Sequence, residues 1–514
     1  MNHASLGLGA TTQLAPLPAV RAPVGSGRLL GACRLASEQE GQLVALWITD
    51  DRDRHRGFCL RVLLQDRDGL TLLEHTLRDA SAQYPDLATI FPAANRMQRA
   101  AFDLTGIASQ SDDQRPWIWM AAWPTDQFPL QVDFEALPTW RPAEVPYSFV
   151  HVDGEGVHEF NVGPVHAGTI EPGNFRIQVV GEKVLRLETR FSYTHKGVEK
   201  RFESMPVSDA YRLAGRICGD STVAYAWAFA QALEAIAGVA PPARAQWLRA
   251  LALERERVAN HLGDLGALAN DGGFAFGLAQ FSRLREDMLR LNRDAIGHRL
   301  MMDFVVPGGT ATDIGPAHAT RLRDQCDAIE HEVRVLRDII DEHAGLQDRF
   351  RTCGRVTPAV CAKLGMTGLA ARASGGNRDL RADFACAPYD ALAVQKALQV
   401  DGDVAARVAV RFDEVYESLR LLRAIIDALP VGDVAATMPG SLPSNLALGY
   451  VEGWRGPVLV ALETGEDGAI RRCHPHDPSW SNWPAVEHAA MDNIVPDFPL
   501  INKSFNLAYS GHDL

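Results

Sequence analysis

The sequence has no closely paired cysteines. Its 514 residues include eight cysteines, and no two of them are spaced as in a CxxC motif. A disulfide framework or a zinc ribbon would show such pairs. Scattered cysteines are instead typical of a protein in a reducing cytoplasm.

Basic residues are fewer than acidic ones. Lysine and arginine together number 51 against 64 aspartates and glutamates, which gives a net charge of −13. We therefore expect no nucleic-acid partner and no direct adhesion to anionic lipid.

Long apolar runs and a dinucleotide fingerprint are also missing. The longest apolar window, 223–240, is interrupted by Gln231 and Glu234, so it predicts a buried helix and no membrane span. The N-terminus lacks a basic segment followed by an apolar one, which argues against a signal peptide. The glycine pairs at 7–9 and 25–27 follow no strand, so this chain is not expected to bind NAD(H) itself.

The length predicts at least two domains. Residues 1–25 are rich in Ala, Pro and Gly and are interpreted as a flexible tail. Residues 26–140 form a predicted α+β domain, with strands at 42–48 and 57–64 and a helix near 86–104. A proline-containing linker is expected at 138–145.

Residues 146–514 predict a mainly α-helical bundle domain with a small β-sheet. Strand patterns at 175–180 and 184–189 flank a Gly-Glu-Lys turn, which indicates a hairpin. Helical periodicity follows, and the predicted helices are 209–237, 241–270, 277–299, one covering 322–340 and one covering 404–426. The segment from Trp454 onward is expected to be irregular.

A six-residue stretch, Arg216 to Ser221, is spaced like half of a metal site. Cys218 offers a thiolate, but the position three residues later, where a second soft ligand would complete a CxxC site, is Ser221. One thiolate without partners does not hold a transition metal in place.

Several segments carry a family resemblance. They are FNVGPVHAGTIEPGNFRIQVVGE (160–182), FSYTHKGVEKRFE (191–203), RICG (216–219), ARASGGNRDLRAD (371–383), ALGYVEGWRGP (447–457) and NWPAVEHAAMDNIVPDFPLINKSF (482–505). Together they resemble the large subunit of membrane-bound group 4 [NiFe] hydrogenases and the homologous quinone-site subunit of complex I, the D-type subunit. Residues 94–107 and 115–134 resemble the C-type subunit of complex I. The resemblance implies a [NiFe]-hydrogenase large-subunit fold fused to a C-type domain, as in formate-hydrogenlyase-type complexes.

The sequence departs from that resemblance at the metal. The hydrogenases supply four thiolates to the nickel from two CxxC motifs. Here Cys218 keeps the first position, whereas Ser221, Ala508 and Gly511 stand at the other three, and Tyr225 replaces an expected histidine. Alanine and glycine offer no side-chain donor, so a Ni–Fe centre is not expected.

Two groups of residues are candidates for the chemistry. His166 matches a complex I histidine at the quinone headgroup, although its partner tyrosine is missing; loop packing or a capping hydrogen bond is the alternative. Glu254, Arg257 and His261 share one helix face and Asp271 follows, which suggests a buried polar line that relays protons; a solvated, salt-bridged face is the alternative.

Further candidates come from the C-terminal half. Arg455 matches the arginine that overhangs the hydrogenase active site, and the resemblance places a cluster along the same cavity as cofactor-binding residues: Arg372, Arg378, Asp379 and Arg381. An inter-domain ion pair is the alternative for these residues. A donor-rich run, Cys473-His474-Pro475-His476-Asp477, has the residue types of a zinc site but a spacing that suits one ion poorly.

The resemblance implies a nickel-free large subunit of a complex-I-related oxidoreductase on the cytoplasmic side of the inner membrane. Such a subunit would bind a small iron–sulfur subunit and antiporter-like membrane subunits, accept a quinone as ligand, and meet NAD(H) only through another subunit. Three alternatives stay open: a genuine H₂-evolving hydrogenase, a non-catalytic structural subunit, and a different ligand such as a dissolved inorganic species.

Overall fold

The computed structural model describes residues 6, 8–79, 81–119, 124, 126–135, 147–166 and 170–514. The predicted linker at 138–145 lies outside the described residues.

The N-terminal unit is a mixed sheet with helices. Its elements are β1 (Thr12–Gln13), β2 (Ala19–Pro23), α1 (Ser26–Glu38), β3 (Gln42–Asp50), β4 (Phe58–Gln65), β5 (Leu70–Leu77) and α2 (Ala94–Thr105). The strand order is β1-β2-β5-β4-β3, with β2 and β5 parallel and the other pairs antiparallel. The expected strands at 42–48 and 57–64 are confirmed.

The prediction of a flexible tail over 1–25 is wrong for its second half. Strand β2 pairs with β5 along its whole length, and Val20 and Ala22 are buried. A short Ala- and Pro-rich segment can serve as a strand when a neighbouring strand supplies its hydrogen-bond partners, which composition alone does not reveal.

A second sheet opens the larger unit. It contains β6 (Val157–Val162), β7 (Asn174–Val180) and β8 (Lys183–Arg190) in antiparallel order β6-β7-β8. The turn between β7 and β8 contains Gly181 at φ 60°. The predicted hairpin is therefore confirmed.

Helices dominate the middle of the chain. They are α3 (Val198–Glu203), α4 (Val207–Ala214), α5 (Thr222–Ala237), α6 (Ala243–Asp271), α7 (Ala275–Ile296), α8 (Pro316–Glu342), α9 (Ala344–Phe350), α10 (Pro358–Leu364), α11 (Gly368–Arg372), α12 (Leu380–Asp383) and α13 (Val404–Asp427). The short strands β9 (Val305–Val306) and β10 (Gly309–Thr310) pair between α7 and α8. Helix α6 packs against α7 and α13, which places it at the centre of the bundle.

The predicted helix 209–237 is two helices. Helix α4 ends at Ala214, a short 3₁₀ turn covers Gly219–Ser221, and α5 starts at Thr222. Glu256 of α6 accepts hydrogen bonds from the backbone N–H groups of Val223 and Ala224 at 2.7 and 3.3 Å. This carboxyl group from a neighbouring helix accepts hydrogen bonds from free N–H groups in the first turn of α5. A new helix can therefore begin at this point, which the sequence pattern did not indicate.

The C-terminal segment is ordered, contrary to the expectation of an irregular tail. It contains β11 (Leu446–Glu452), β12 (Pro457–Thr464), β13 (Ile470–His476), α14 (Ser479–Ala490), α15 (Phe498–Phe505) and α16 (Ser510–Asp513). The sheet order is β11-β12-β13, so β13 is an edge strand. Pro475, which lacks an N–H, is tolerated there for that reason.

The two units pack on each other through this sheet. Trp47 of β3 stacks on His474 of β13 with ring centroids 4.9 Å apart. Arg61 of β4 pairs with Glu463 of β12 at 2.8 Å, and Arg471 contacts Asp51 and Asp53. One apolar cluster contains side chains of both β3 and β11.

Among the helices of the described residues, none combines the length and apolar character needed to cross a membrane.

Helix α5 lies so close to the β11-β12-β13 sheet that the contact requires a glycine. Gly449 of β11 lies against α5, and a Cβ atom at this position would overlap the carbonyl oxygen of Ala228. We expect Gly449→Ala to lower the free energy of unfolding by about 1–3 kcal/mol, since the backbones must move apart. Gly440→Ala is the matched control, because a Cβ there meets no atom within 4 Å. Denaturant unfolding checks both variants, and equal midpoints would contradict the close approach.

Candidate functional site

The Arg216–Ser221 stretch forms the turn between α4 and α5. Cys218 is buried, and its thiol lies 3.0 Å from Oδ1 of Asp220. Burial, followed by the nearby Asp220 carboxylate, raises the pKa of Cys218 well above its usual value. The sulfur is therefore held as a protonated thiol in this environment.

Arg455 occupies the space in front of this turn. Its Nη1 and Nη2 donate to the two oxygens of Asp220, each at 2.6 Å. Nη1 also lies 3.3 Å from Oγ of Ser221 and 3.8 Å from Sγ of Cys218. Burial would raise the pKa of the Asp220 carboxyl group, but the guanidinium outweighs it and the pKa falls to about 2. A bidentate ion pair thus faces both N-terminal metal-ligand positions.

The same arginine ties in the C-terminal end of the chain. Its Nε donates to the carbonyl oxygen of Asn506 at 2.6 Å, and its guanidinium lies 4.0 Å from the ring centroid of Trp454. Arg455 therefore holds together the two segments that would supply nickel ligands in the resembled hydrogenases.

The C-terminal ligand positions are crowded by a carboxylate. Tyr225 donates its hydroxyl hydrogen to Oδ2 of Asp477 at 2.7 Å. A Cβ atom on Gly511 would lie 2.5 Å from the same oxygen and 3.1 Å from Cβ of Ala508. A side chain at 511, including a cysteine, would therefore have to displace Asp477 from its hydrogen bond.

These residues do not fit a Ni–Fe centre. One buried thiol remains of four sulfur donors, an ion pair stands before it, and an aspartate fills the side of Gly511. In the part of the chain that the structure describes, no three His, Cys, Asp or Glu side chains are grouped to hold a metal, and this includes the run at 473–477.

The polar line predicted on α6 is buried, so the solvated alternative is wrong. Glu254, Arg257 and His261 are each fully buried. Glu254 accepts from Arg381 at 3.0 Å, from the Ser418 hydroxyl at 2.6 Å and from the Tyr389 hydroxyl at 2.6 Å. Asp271, the last residue of α6, is partly buried, and burial raises its pKa.

The line continues into a buried ionic network. Nε2 of His261 lies 2.7 Å from Glu414, which also pairs with Arg372 at 2.7 Å. Arg372 contacts Glu452 at 2.8 Å, and Arg381 pairs with Asp379 at 2.7 Å. The network contains three arginines and four carboxylates: Arg257, Arg372, Arg381, Glu254, Asp379, Glu414 and Glu452.

The network has one more carboxylate than it has arginines. Because it is buried away from water, this extra negative charge favours the uptake of a proton. Burial is the main cause that raises the pKa of Glu452, whereas Arg372 lowers the pKa of Glu414 well below its usual value despite its burial. Glu452 is thus the member of the network that binds the proton most readily.

Arg372, Asp379 and Arg381 were predicted to line a cofactor cavity. The structure shows them buried and paired with one another or with carboxylates of the bundle. Arg378 instead donates to Oε1 of Gln42 at 3.2 Å and to the carbonyl oxygen of Glu40 at 2.6 Å. Arg378 therefore joins the two units, as the alternative expected, but through hydrogen bonds to neutral groups and not through an ion pair.

His166 makes a local contact. Its Nε2 donates to the carbonyl oxygen of Gly173 at 2.9 Å, and its ring centroid lies 5.7 Å from that of Phe175. The structure thus contains the capping hydrogen bond and loop packing that were the alternative to a quinone contact.

Three important residues were missed by the sequence reasoning, Asp220, Glu256 and Glu414, and Asp477 was considered only as a zinc donor. Asp220 and Asp477 stood inside the motifs that drew attention to their neighbours, whereas Glu256 and Glu414 sit in ordinary helical patterns. Glu256 is buried beside the Asp220 turn and, through burial, its pKa rises to about 8.

Comparison with known proteins shows the family of the chain. Residues 271–445 match the family described as the 49 kDa subunit of respiratory-chain NADH dehydrogenase, and residues 24–139 match the 30 kDa subunit. Carbon monoxide-induced hydrogenase of Rhodospirillum rubrum is 30% identical over 346 residues, which cover 67% of this chain and 96% of that protein. The chain belongs to the family of the larger of these two complex I subunits, fused to a domain of the smaller one.

One further relative supports the assignment, and one solved structure shares the fold. Formate hydrogenlyase subunit 5 of Escherichia coli K12 is 29% identical over 486 residues, covering 93% of this chain and 85% of that protein. A chain from the structure of an archaeal respiratory membrane complex, the membrane-bound sulfane sulfur reductase, shares the fold with a TM-score of 0.67 at 24% identity. The match covers 71% of this complex I-family chain and the whole of that chain.

The buried Glu256 carboxyl group makes stability depend on pH. Its pKa lies above the value of about 4.5 for an exposed glutamate, so the folded protein holds one proton more than the unfolded chain between about pH 4.5 and 8. The stability contributed by this proton is complete below that window and is lost as the pH rises, by about 1.4 kcal/mol per unit.

We expect Glu256→Gln to remove this dependence, because an amide does not titrate in this range and its single oxygen can still accept the shorter hydrogen bond, from Val223. The free energies of unfolding of the two proteins, measured from pH 5 to 8, should diverge as the pH rises, with the variant becoming the more stable. Parallel curves would contradict a protonated Glu256.

Proposed function

We propose that this chain is the large subunit of a membrane-associated, complex-I-related oxidoreductase and has a hydrogenase-large-subunit-like fold without a Ni–Fe centre. It would help to transfer electrons from an iron–sulfur cluster of a neighbouring subunit to a quinone or a similar acceptor. The observation that carries this proposal is the Arg455–Asp220 ion pair in front of Cys218 and Ser221.

The partners follow from the family. The relatives are named as hydrogenase, formate hydrogenlyase and NADH-quinone oxidoreductase subunits. We infer a small iron–sulfur subunit and antiporter-like membrane subunits as partners, and a peripheral position on the cytoplasmic side of the inner membrane. NAD(H) would react only at another subunit.

A fixed guanidinium suits the reduction of a polar oxygen-containing ligand. Arg455 is charged at any physiological pH, because burial would lower its pKa but Asp220 outweighs burial and raises the pKa further. It could orient a quinonoid oxygen or an anion at the edge of the Asp220 turn. The buried network around Glu254, His261 and Glu452 supplies a proton-binding group in the bundle, and we propose that it couples the reaction to ion translocation.

Three alternatives to this proposal each have one observation in their favour. The names of the relatives favour hydrogen evolution, but the donor set at positions 218, 221, 508 and 511 does not fit nickel. The local hydrogen bond of His166 favours a structural subunit. The structural neighbour is named a sulfane sulfur reductase, so a dissolved sulfur species stays an alternative to quinone.

The proposal is tested with Arg455→Met in the purified complex. With reduced methyl viologen as donor, we expect the rate of reduction of a soluble quinone analogue to fall about 10-fold or more, since a hydrogen bond to a charged group contributes about 1.5–3 kcal/mol. Arg321→Met is the matched control, because Arg321 pairs with Asp294 on the exposed surface.

Folding and catalysis are separated by a second variant. The double change Arg455→Met with Asp220→Asn leaves no unpaired buried carboxylate, so its complex should assemble even if the single variant does not. An assembled complex that reduces quinone at the wild-type rate without Arg455 would refute the catalytic role and favour a structural subunit.

A further inference from the structure

A cavity between the two units has a polar lining that the proposed electron transfer does not explain. It is lined from the N-terminal unit by residues of β3 and α2, such as Trp47 and Met97, and from the larger unit by ionisable residues. The ionisable residues are His195, Glu199, Arg472, His474, His476 and Asp513. All charge in this cavity therefore comes from one side.

Two histidines of β13 face this cavity with unpartnered nitrogens. His474 and His476 alternate along the strand, so they share one face, and their ring centroids lie 6.0 Å apart. Nε2 of each ring is buried and has no hydrogen-bond partner among the residues that the structure describes. The indole N–H of Trp480, which also lines the cavity, is buried without a partner as well.

The contact made by Nδ1 of His474 determines which of its two ring nitrogens carries the hydrogen. Nδ1 lies 2.7 Å from Oε1 of Glu199, which also pairs with Arg472 at 2.8 Å. Burial raises the pKa of Glu199, but Arg472 and His474 outweigh it and the pKa falls to about 2, so this carboxylate only accepts hydrogen bonds. Nδ1 must then carry the hydrogen, and Nε2 of the neutral ring offers a bare lone pair.

Burial keeps these rings neutral. It lowers the pKa of His474 and lowers that of His476 well below its usual value. Buried polar groups are normally hydrogen-bonded, so several unpaired ones in one cavity point to a partner that both donates and accepts hydrogen bonds.

The size of the cavity identifies that partner. The free space is about 480 Å³ in all, but only about 30 Å³ of it admits the centre of a water molecule. A water needs about 10–15 Å³ by this measure, so the cavity holds about two waters and is too small for a quinone ring. Water can donate to a bare imidazole nitrogen and accept from the indole N–H.

Strand β13 ends at His476, next in sequence to a residue beside Gly511. His476 is followed directly by Asp477, which accepts the hydroxyl hydrogen of Tyr225 at 2.7 Å and lies against Gly511. Trp480 stacks on His476, with ring centroids 6.0 Å apart, and also packs near the C-terminus of the chain.

We propose that His474, His476 and Trp480 bind ordered water in this cavity, and that the hydrated histidines pass protons toward the Tyr225–Asp477 pair. The binding of water stands on the cavity alone, whereas the direction of proton transfer rests on the proposed function. In each transfer one O–H or N–H bond breaks as another forms, and no oxidant is needed. The donor-rich run at 473–477 is thereby a proton path and not a zinc site.

The water site is tested first, without any activity. In the full chain labelled with ¹⁵N-histidine, nuclear magnetic resonance should show His474 protonated on Nδ1 and bare on Nε2, in rapid exchange contact with water. A hydrogen on Nε2 of His474, or the absence of magnetization transfer from water to both rings, would overturn the site.

The relay is tested with two variants of His476 in the complex. His476→Phe keeps a ring against Trp480 but has no nitrogen, and His476→Gln keeps hydrogen bonds but cannot take up and release a proton near neutral pH. We expect both to slow viologen-driven quinone reduction by about 10-fold or more and to increase the solvent deuterium isotope effect. His488→Phe, on the same helix as Trp480, is the control.

The two failures are distinguishable. Variants of His476 that keep the wild-type rate and isotope effect would overturn the relay. A wild-type complex that reduces no quinone would refute the proposed function, and the magnetic resonance measurement would then still decide whether the histidines bind water.

Discussion

The structure around the Arg216–Ser221 turn depends on one ion pair. Arg455 and Asp220 face each other through two hydrogen bonds of 2.6 Å, at a position that also touches Cys218, Ser221 and the backbone of Asn506. Asp220, inside the Arg216–Ser221 turn, supplies the carboxylate that pairs with this buried arginine. The turn, the loop at Trp454 between β11 and β12, and the C-terminal segment all contact the same guanidinium.

Buried pairs of arginine and carboxylate also hold the rest of the bundle together, in a larger network. Carboxylates and arginines from α6, α11, α12, α13 and β11 form a buried network with one carboxylate more than it has arginines, and burial raises the pKa of its member Glu452. Such a network is costly to break, because each member left alone would be an unpaired charge. It gives the bundle a proton-binding group without a metal.

Much of this could be predicted from the sequence. The hairpin of β7 and β8, the long helices and the family followed from periodicity and from motifs such as RICG. The break between α4 and α5 could not, because it depends on Glu256 of another helix. The ordered C-terminus could not either, because strand β13, which contains Pro475, depends on pairing with β12 and on packing against β3. Arg455 was found by resemblance, but its partner Asp220 is visible only in three dimensions.

In this member of the complex I subunit family, an ion pair and an aspartate stand where the metal would be. The most direct measurement is the nickel content of the purified complex, made in cells that load a [NiFe] hydrogenase expressed alongside it. The account predicts nickel far below one atom per chain, with the control hydrogenase fully loaded. About one nickel atom per chain would contradict it, because a metal at Cys218 would require Arg455 to move away.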